Sequence, residues 1–299
     1  MPDQSPTPPL DPSHRRLLPE PLRDEPFALW RRGISDNPAI DVYRNEAGDF
    51  VALSPTPTVD YVHYQPRHQR LGLSDYKKSQ RLIEVRYGKI RSRLQSAASV
   101  LEVGAAEGAF LAHLAAVQPG VALASVEPDE STRVHRDAIA GLRQFPSLEA
   151  AAAGGLAVDV VCLFHVFEHL ADPASFLSPA KRVLAPGGRL IIEVPSLDDP
   201  LLSLYQSAAY RDFYFQQQHP FVYSASSLRR VLEHHGFTVE IVPYQRYGLE
   251  NHLAWLANAR PGGSPELRQL FGSCEQTYIA ALEQRGFTDT VFAIAQVPA

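Results

Sequence analysis

The run Leu101-Glu102-Val103-Gly104-Ala105-Ala106-Glu107-Gly108-Ala109-Phe110 follows a short apolar stretch and puts small residues where a strand must turn into a helix. Such a turn lets a ligand lie against bare backbone. The spacing Gly104-x-Ala106-x-x-Ala109 matches a degenerate dinucleotide fingerprint, so spacing alone leaves two cofactor classes open. Charge separates them. A pyrophosphate needs a helix N-terminus free of anions, whereas Glu102 ends the strand and Glu107 enters the helix. S-adenosylmethionine carries a sulfonium and an ammonium and no phosphate, so these carboxylates attract it. Nineteen residues beyond Gly108, a second apolar run ends in Glu127-Pro128-Asp129, and a carboxylate there can accept both hydroxyl protons of a ribose.

A second group of reactive side chains is His165-x-x-Glu168-His169, directly after the apolar run Val158–Phe164. As written it matches an inverted zinc-protease pattern, but that chemistry needs a helix presenting both histidines on one face, and here the motif starts at a strand end. Farther on, Phe213-Tyr214-Phe215-Gln216-Gln217-Gln218-His219-Pro220-Phe221-Val222-Tyr223 offers an aromatic loop with one imidazole. A neutral imidazole can remove the proton from a hydroxyl under attack, which makes His219, and after it His165 and His169, candidate bases. Displacement at an activated methyl can also proceed by alignment alone. Arg246, Tyr247, Asn251 and His252 are candidates for lining an acceptor pocket.

Positioning these groups requires an alternating α/β chain. Strands are expected at Ser99–Val103, Ala122–Val126, Leu142–Phe145, Val158–Phe164, Arg189–Val194, Phe237–Pro243 and Thr290–Val297. Helices are expected at 108–117, 130–138, 174–184 and 226–235, the last with Ser224 as cap and Gly236 as stop. The fold class is a doubly wound, mostly parallel seven-stranded sheet, with a helical insertion at 245–287 before the last strand. Residues 1–26, crowded with proline and charge, read as a disordered arm. Residues 27–97 read as a small hairpin about Asn45–Gly48 followed by an amphipathic helix, Ser74–Gln95, whose Tyr76, Leu82, Ile83, Tyr87, Ile90 and Leu94 share a face. The region from Tyr64 to Tyr87 is expected to act as a lid over the third part, residues 98–299.

The 299 residues are 45% hydrophobic, which suffices for a full core, and a net charge of -5 disfavours a nucleic-acid partner. No run approaches the ~20 apolar residues of a membrane span, and the N-terminus lacks a signal-like stretch. The two cysteines, Cys162 and Cys274, are too few for a thiolate zinc site, and the reading is a cytoplasmic protein.

Taken together, Glu102-x-Gly104-x-x-x-Gly108, the strand-end Glu127, the run Val158 to Pro173 and the run Leu184 to Pro195 resemble the class I S-adenosylmethionine-dependent methyltransferases. The resemblance covers about Ser99 to Phe237, with Thr290 to Val297 matching the reversed final strand. It implies S-adenosylmethionine as cofactor, held by Glu102, Gly104, Ala105, Ala106, Gly108, Glu127, Pro128, Phe164 and His165. Ala106 departs from the pattern where many members have glycine. Some relatives with an acidic form of the histidine motif resemble it in binding magnesium through the Glu-His pair. With His165 replacing a carboxylate that preference is met less well, and no metal is expected. The insertion is similar to those of bacterial methyltransferases in sugar, surface-polysaccharide and natural-product pathways. Sugar C-methyltransferases of related type carry a cysteine-rich zinc module that is absent here, so the expected activity is O-methylation of a small-molecule acceptor, a sugar or sugar nucleotide. A nicotinamide-dependent oxidoreductase and a noncatalytic methyltransferase-like binding protein are the alternatives. The apolar insertion also offers surface for a dimer.

Overall fold

The computed structural model describes residues 10–57 and 80–298. Tyr64, Tyr76 and the first part of the expected lid lie outside the described residues. The chain divides into two compact units, one containing residues 10–57, 165–174 and 192–295, the other residues 80–164, 175–191 and 296–298.

Eleven strands are formed among the described residues: β1 Phe27–Arg31, β2 Asp41–Asn45, β3 Phe50–Ser54, β4 Ser99–Val103, β5 Ala122–Val126, β6 Arg143–Phe145, β7 Val158–Phe164, β8 Leu184–Pro195, β9 Phe221–Tyr223, β10 Thr238–Tyr244 and β11 Thr290–Gln296. Seven make one sheet in the order β10-β11-β8-β7-β4-β5-β6. The pairs β4·β5, β4·β7 and β5·β6 are parallel. The last strand is reversed: Ser196 N–H donates to Asp289 O at its start, and Val297 N–H donates to Gly188 O at its end. This is the doubly wound sheet expected from the alternating pattern.

In the second unit, β4 and β7 read as near-continuous apolar runs because both faces are covered. Val100, Leu101, Val160, Val161 and Leu163 are wholly buried. Two acids interrupt these runs. Asp159 Oδ2 accepts from the backbone N–H of Ala98 at 2.7 Å and of Ser99 at 3.0 Å, which ties the start of β4 to β7. Glu102 is the other. The stretch between Ala138 and Val158 holds β6 and a helix, Leu148–Ala153, capped by Ser147, whose hydroxyl accepts Ala150 N–H at 3.1 Å. The helix expected at 130–138 is shorter, a 3₁₀ turn Glu130–Thr132 running into Arg133–Arg136.

In the first unit, the expected hairpin exists as β2 and β3 in antiparallel register, but it is part of a four-stranded sheet β1-β2-β3-β9. Val42, Val51, Leu53 and Val222 pack with Tyr210, Tyr214, Phe215 and Trp255 in its core. The aromatic loop therefore serves packing at Phe215, Phe221 and Tyr223, each almost fully buried. The disordered arm is corrected for its described part. Pro12–Arg15 is a helical turn capped by Asp11, and Leu10, Leu18 and Leu22 are buried. The helix Ala225–His234 has the expected ends: Ser224 and Ser227 form a capping box, and Gly236 follows with φ 78°. The insertion consists of three helices, Leu249–Asn258, Pro265–Phe271 and Ser273–Arg285.

Candidate active site

The turn after β4 is built from three left-handed residues, Gly104 at φ 71°, Ala106 at φ 48° and Gly108 at φ 78°. At Gly108 a side chain is excluded twice over, because a Cβ would meet Ile139 Cδ1 at 2.9 Å and Arg136 Cγ at 3.2 Å. Ala106 takes the same conformation with a Cβ, at an expected cost of about 1–2 kcal/mol. Two side chains hold it there. Glu127 Oε2 accepts Ala106 N–H at 2.7 Å while its Oε1 accepts Asp129 N–H at 2.9 Å. Arg136, 2% exposed, donates to Ala106 O, to Thr132 Oγ1 and to Gln144 Oε1. Glu127 thus links the turns after β4 and β5, and each of its oxygens keeps a second lone pair for a hydroxyl donor. Ala105 is buried in the turn, Pro128 is exposed beside it, and Glu107 lies 4.0 Å from His135 Nε2.

Glu102 is buried at the end of β4, and its Oε2 makes no hydrogen bond. Burial pushes its carboxyl up to about 8, against the pull of the Arg86 guanidinium and with a smaller push from Glu127. Arg86 itself is buried and stacks on the Phe164 ring at 4.4 Å, with Phe110 against the same ring edge-on at 4.7 Å. The strand end therefore carries a buried carboxyl with one oxygen unbonded, beside a ring held by a cation and another ring.

The histidine motif forms a tight turn in the first unit. His165 adopts φ 56° and donates its backbone N–H to Glu193 O at 2.9 Å. Its Nδ1 faces Glu168 Oε1 at 3.1 Å, and its Nε2 faces the Arg246 guanidinium at 3.1 Å. Glu193 Oε1 stands 3.3 Å from the same Nε2. Arg246 is anchored in turn by Asp289 at 3.2 Å, a buried carboxylate that also accepts the backbone N–H of Arg246 and Tyr247. Glu168 and His169 lie on a 3₁₀ turn, Phe167–His169, which separates their geometry from any helix-borne zinc-protease motif. Burial opposes ionisation of Glu168, but the His165 hydrogen bond and the neighbouring imidazoles of His169, His165 and His219 outweigh it and hold the carboxyl down at about 2. His169 Nδ1 donates to Gln218 O at 2.8 Å, and the His169 and His219 rings meet edge to face at 4.8 Å.

Against this geometry, a family model described as Methyltransferase domain matches residues 67–242. The chain belongs to that methyltransferase domain family. A Mycolicibacterium smegmatis protein named probable S-adenosylmethionine-dependent methyltransferase is 32% identical over 177 residues, 56% of this chain and 63% of that protein. The alignment thus spans less than two thirds of that relative. A SAM dependent methyltransferase from Archaeoglobus fulgidus has a similar fold at TM-score 0.52 and 21% identity, covering 77% of this chain and 99% of its own. The plantazolicin methyltransferase BpumL in complex with SAH matches at TM-score 0.50 and 13% identity over 79% of this chain and 91% of its own. At these identities the two structures speak for the fold.

Within the methyltransferase domain, the structure brings Glu102, Gly104, Ala105, Ala106, Gly108, Glu127 and Pro128 into one pair of turns, and His165, His169 and His219 into one cluster. Asn251 and His252 are engaged inside the insertion, Asn251 with Gly262 O at 3.1 Å and His252 Nδ1 with Tyr278 Oη at 2.6 Å. Burial drops His252 to about 4. Arg86 and Arg136 are contributors that sequence reading passed over. Arg86 sits four residues after Leu82 and four before Ile90, on the apolar stripe, a signal visible in the sequence. For Arg136 and Asp289 nothing local marks burial.

Proposed function

We propose that this methyltransferase domain uses S-adenosylmethionine to methylate a hydroxyl of a small polar acceptor, a sugar or sugar nucleotide. The observation that carries the cofactor is Glu102: a buried carboxylate oxygen without a hydrogen bond, at the end of the strand that leads into the left-handed turn. An isolated buried carboxyl is costly unless a cation or donor meets it, and a cofactor with ammonium and sulfonium charges supplies that partner. A dinucleotide pyrophosphate is an anion and would be repelled by the same group once ionised, which argues against the nicotinamide alternative.

Bound there, S-adenosylmethionine supplies an electrophilic methyl on sulfur. Glu127 would receive the ribose hydroxyls through the lone pairs its backbone bonds leave, Ala105 and Ala106 would offer backbone, and Phe164, braced by Arg86 and Phe110, would line the methionine end. His165 follows Phe164 in the chain. Both of its ring nitrogens are engaged, so it positions Glu168 and is not the base. His169 and His219 are the residues proposed to serve the acceptor hydroxyl. The new oxygen–carbon bond would form as the carbon–sulfur bond breaks, and the hydroxyl proton would pass to solvent.

The test is calorimetric titration with S-adenosylmethionine and with NAD, followed by incubation with methyl-labelled cofactor and a panel of free and nucleotide-linked sugars. Tight binding of the sulfonium cofactor and label recovered as a methyl ether support the reading. Preferential NAD binding overturns it, and cofactor binding without label transfer to any acceptor favours the noncatalytic alternative.

A further inference from the structure

Glu168, His169 and His219 present ligand atoms that all lie within 4.8 Å of one another, and we propose that they bind one divalent transition-metal ion. Three features of the first unit point to it. Glu168 is 2% exposed, its Oε1 is taken by His165 Nδ1, and its Oε2 is buried with no hydrogen bond. Buried carboxylate oxygens are rarely left so, because the lost hydration has no other compensation. The proton of His169 is held on Nδ1 by the Gln218 carbonyl at 2.8 Å, which places the lone pair on Nε2. Histidine ligands are commonly oriented by such a carbonyl contact on the other nitrogen. His219 follows Gln218 directly, and its own N–H donates to Gln216 O at 3.0 Å, so one fixed loop both orients His169 and delivers the third ligand.

Two imidazoles and one carboxylate form a borderline donor set, suited to Zn(II), Co(II), Fe(II) or Ni(II) more than to magnesium. Three protein ligands leave coordination positions open for oxygen. The spacing His165-x-x-Glu168-His169 conceals this arrangement, because the structure uses His165 to orient the carboxylate and takes its third ligand from a distant loop. The ion's role rests on the acceptor reading above: a hydroxyl bound to the ion would be ionised by it, its proton passing to solvent, and held for attack. Binding of the ion rests on the three side chains alone.

The full chain, stripped with a chelator and dialysed, is titrated with Co(II) and followed by visible d–d absorption. One ion per chain is expected, displaced by Zn(II) and unaffected by excess magnesium. His169→Ala, His219→Ala and Glu168→Gln should each weaken Co(II) binding on the order of 100-fold or more, and His165→Ala by about 10–100-fold. His235→Ala, whose ring contacts Val231 O outside the cluster, should bind as the parent does. Calorimetric S-adenosylmethionine binding checks that each variant folds. X-ray absorption of the zinc-loaded parent reads the two imidazoles without any variant. Absence of stoichiometric binding, a titration indifferent to the three ligand variants, or a zinc shell without imidazole overturns the site. Metal binding without methyl transfer would sink the proposed function and leave the ion in place. Full-rate transfer by verified metal-free protein removes the ion's catalytic role and leaves the function in place.

Discussion

Arg246 donates through Nη1 to His165 Nε2 at 3.1 Å while its Nε pairs with Asp289 at 3.2 Å, so one guanidinium holds both an imidazole ring and a buried carboxylate in place. Replacing it exposes both dependencies. Arg246→Leu leaves Asp289 buried with only neutral donors, and the expected loss is about 3 kcal/mol in urea unfolding, the low end for a broken buried pair. Arg246→Lys should recover part of that stability but not the donation to His165, since an ammonium is a point charge without the fork. Equal stability of the leucine variant and the parent would refute the pairing.

The proposed contact of Glu102 with the cofactor makes affinity depend on pH through its raised carboxyl. At neutral pH the free protein holds Glu102 largely protonated, because its folded value, about 8, exceeds its ordinary 4.5. A cationic ligand favours the ionised form, so binding should release a proton, and affinity should rise with pH up to about 8 and then level. Stability of the ligand-free protein runs the other way: the preference for the protonated carboxyl contributes fully below 4.5 and is lost as pH rises through about 8. Calorimetry in buffers of different ionisation enthalpy measures the proton count. Glu102→Gln should abolish the release and weaken S-adenosylmethionine by about 10-fold or more, the loss of one charged contact. A proton uptake on binding by the parent would contradict the assignment.

Gly108 and Ala106 share a left-handed backbone but differ in the space around them. Gly108→Ala adds a Cβ against Ile139 and Arg136 and should cost about 1–3 kcal/mol, with cofactor affinity falling as the turn shifts. Ala106→Gly removes strain at φ 48° while adding chain entropy to the unfolded state, and should change stability by less than about 1 kcal/mol. Thermal unfolding of the two variants side by side provides the comparison, and a similar loss in both would show that the space around Gly108 is not what excludes its side chain.

Arg136 bridges Ala106 O, Thr132 Oγ1 and Gln144 Oε1 from a site 2% exposed. Arg136→Met keeps the stem and deletes the donors, so a loss on the order of 2–4 kcal/mol is expected. Hydrogen exchange at the Ala106 amide should accelerate along with it. An unaltered exchange rate would mean that Glu127 alone holds the turn.

Chain-local chemistry determined the sheet and the left-handed turn after β4. Buried parallel strands must be apolar on both faces, helix ends need caps such as Ser224 and stops such as Gly236, and left-handed turns need small residues; each of these leaves its mark within a few neighbours. Local pattern misled at the arm, where proline content masked Leu18 and Leu22, because burial depends on the surface they meet and not on their neighbours in sequence. The histidine cluster shows the same limit. Spacing grouped His165, Glu168 and His169 as equals, whereas the folded chain engages His165 with Arg246, orients His169 through Gln218 and supplies His219 from a separate loop. Which side chain is a base, a ligand or a brace depends on hydrogen bonds between residues far apart in the chain, and only tertiary structure creates those bonds.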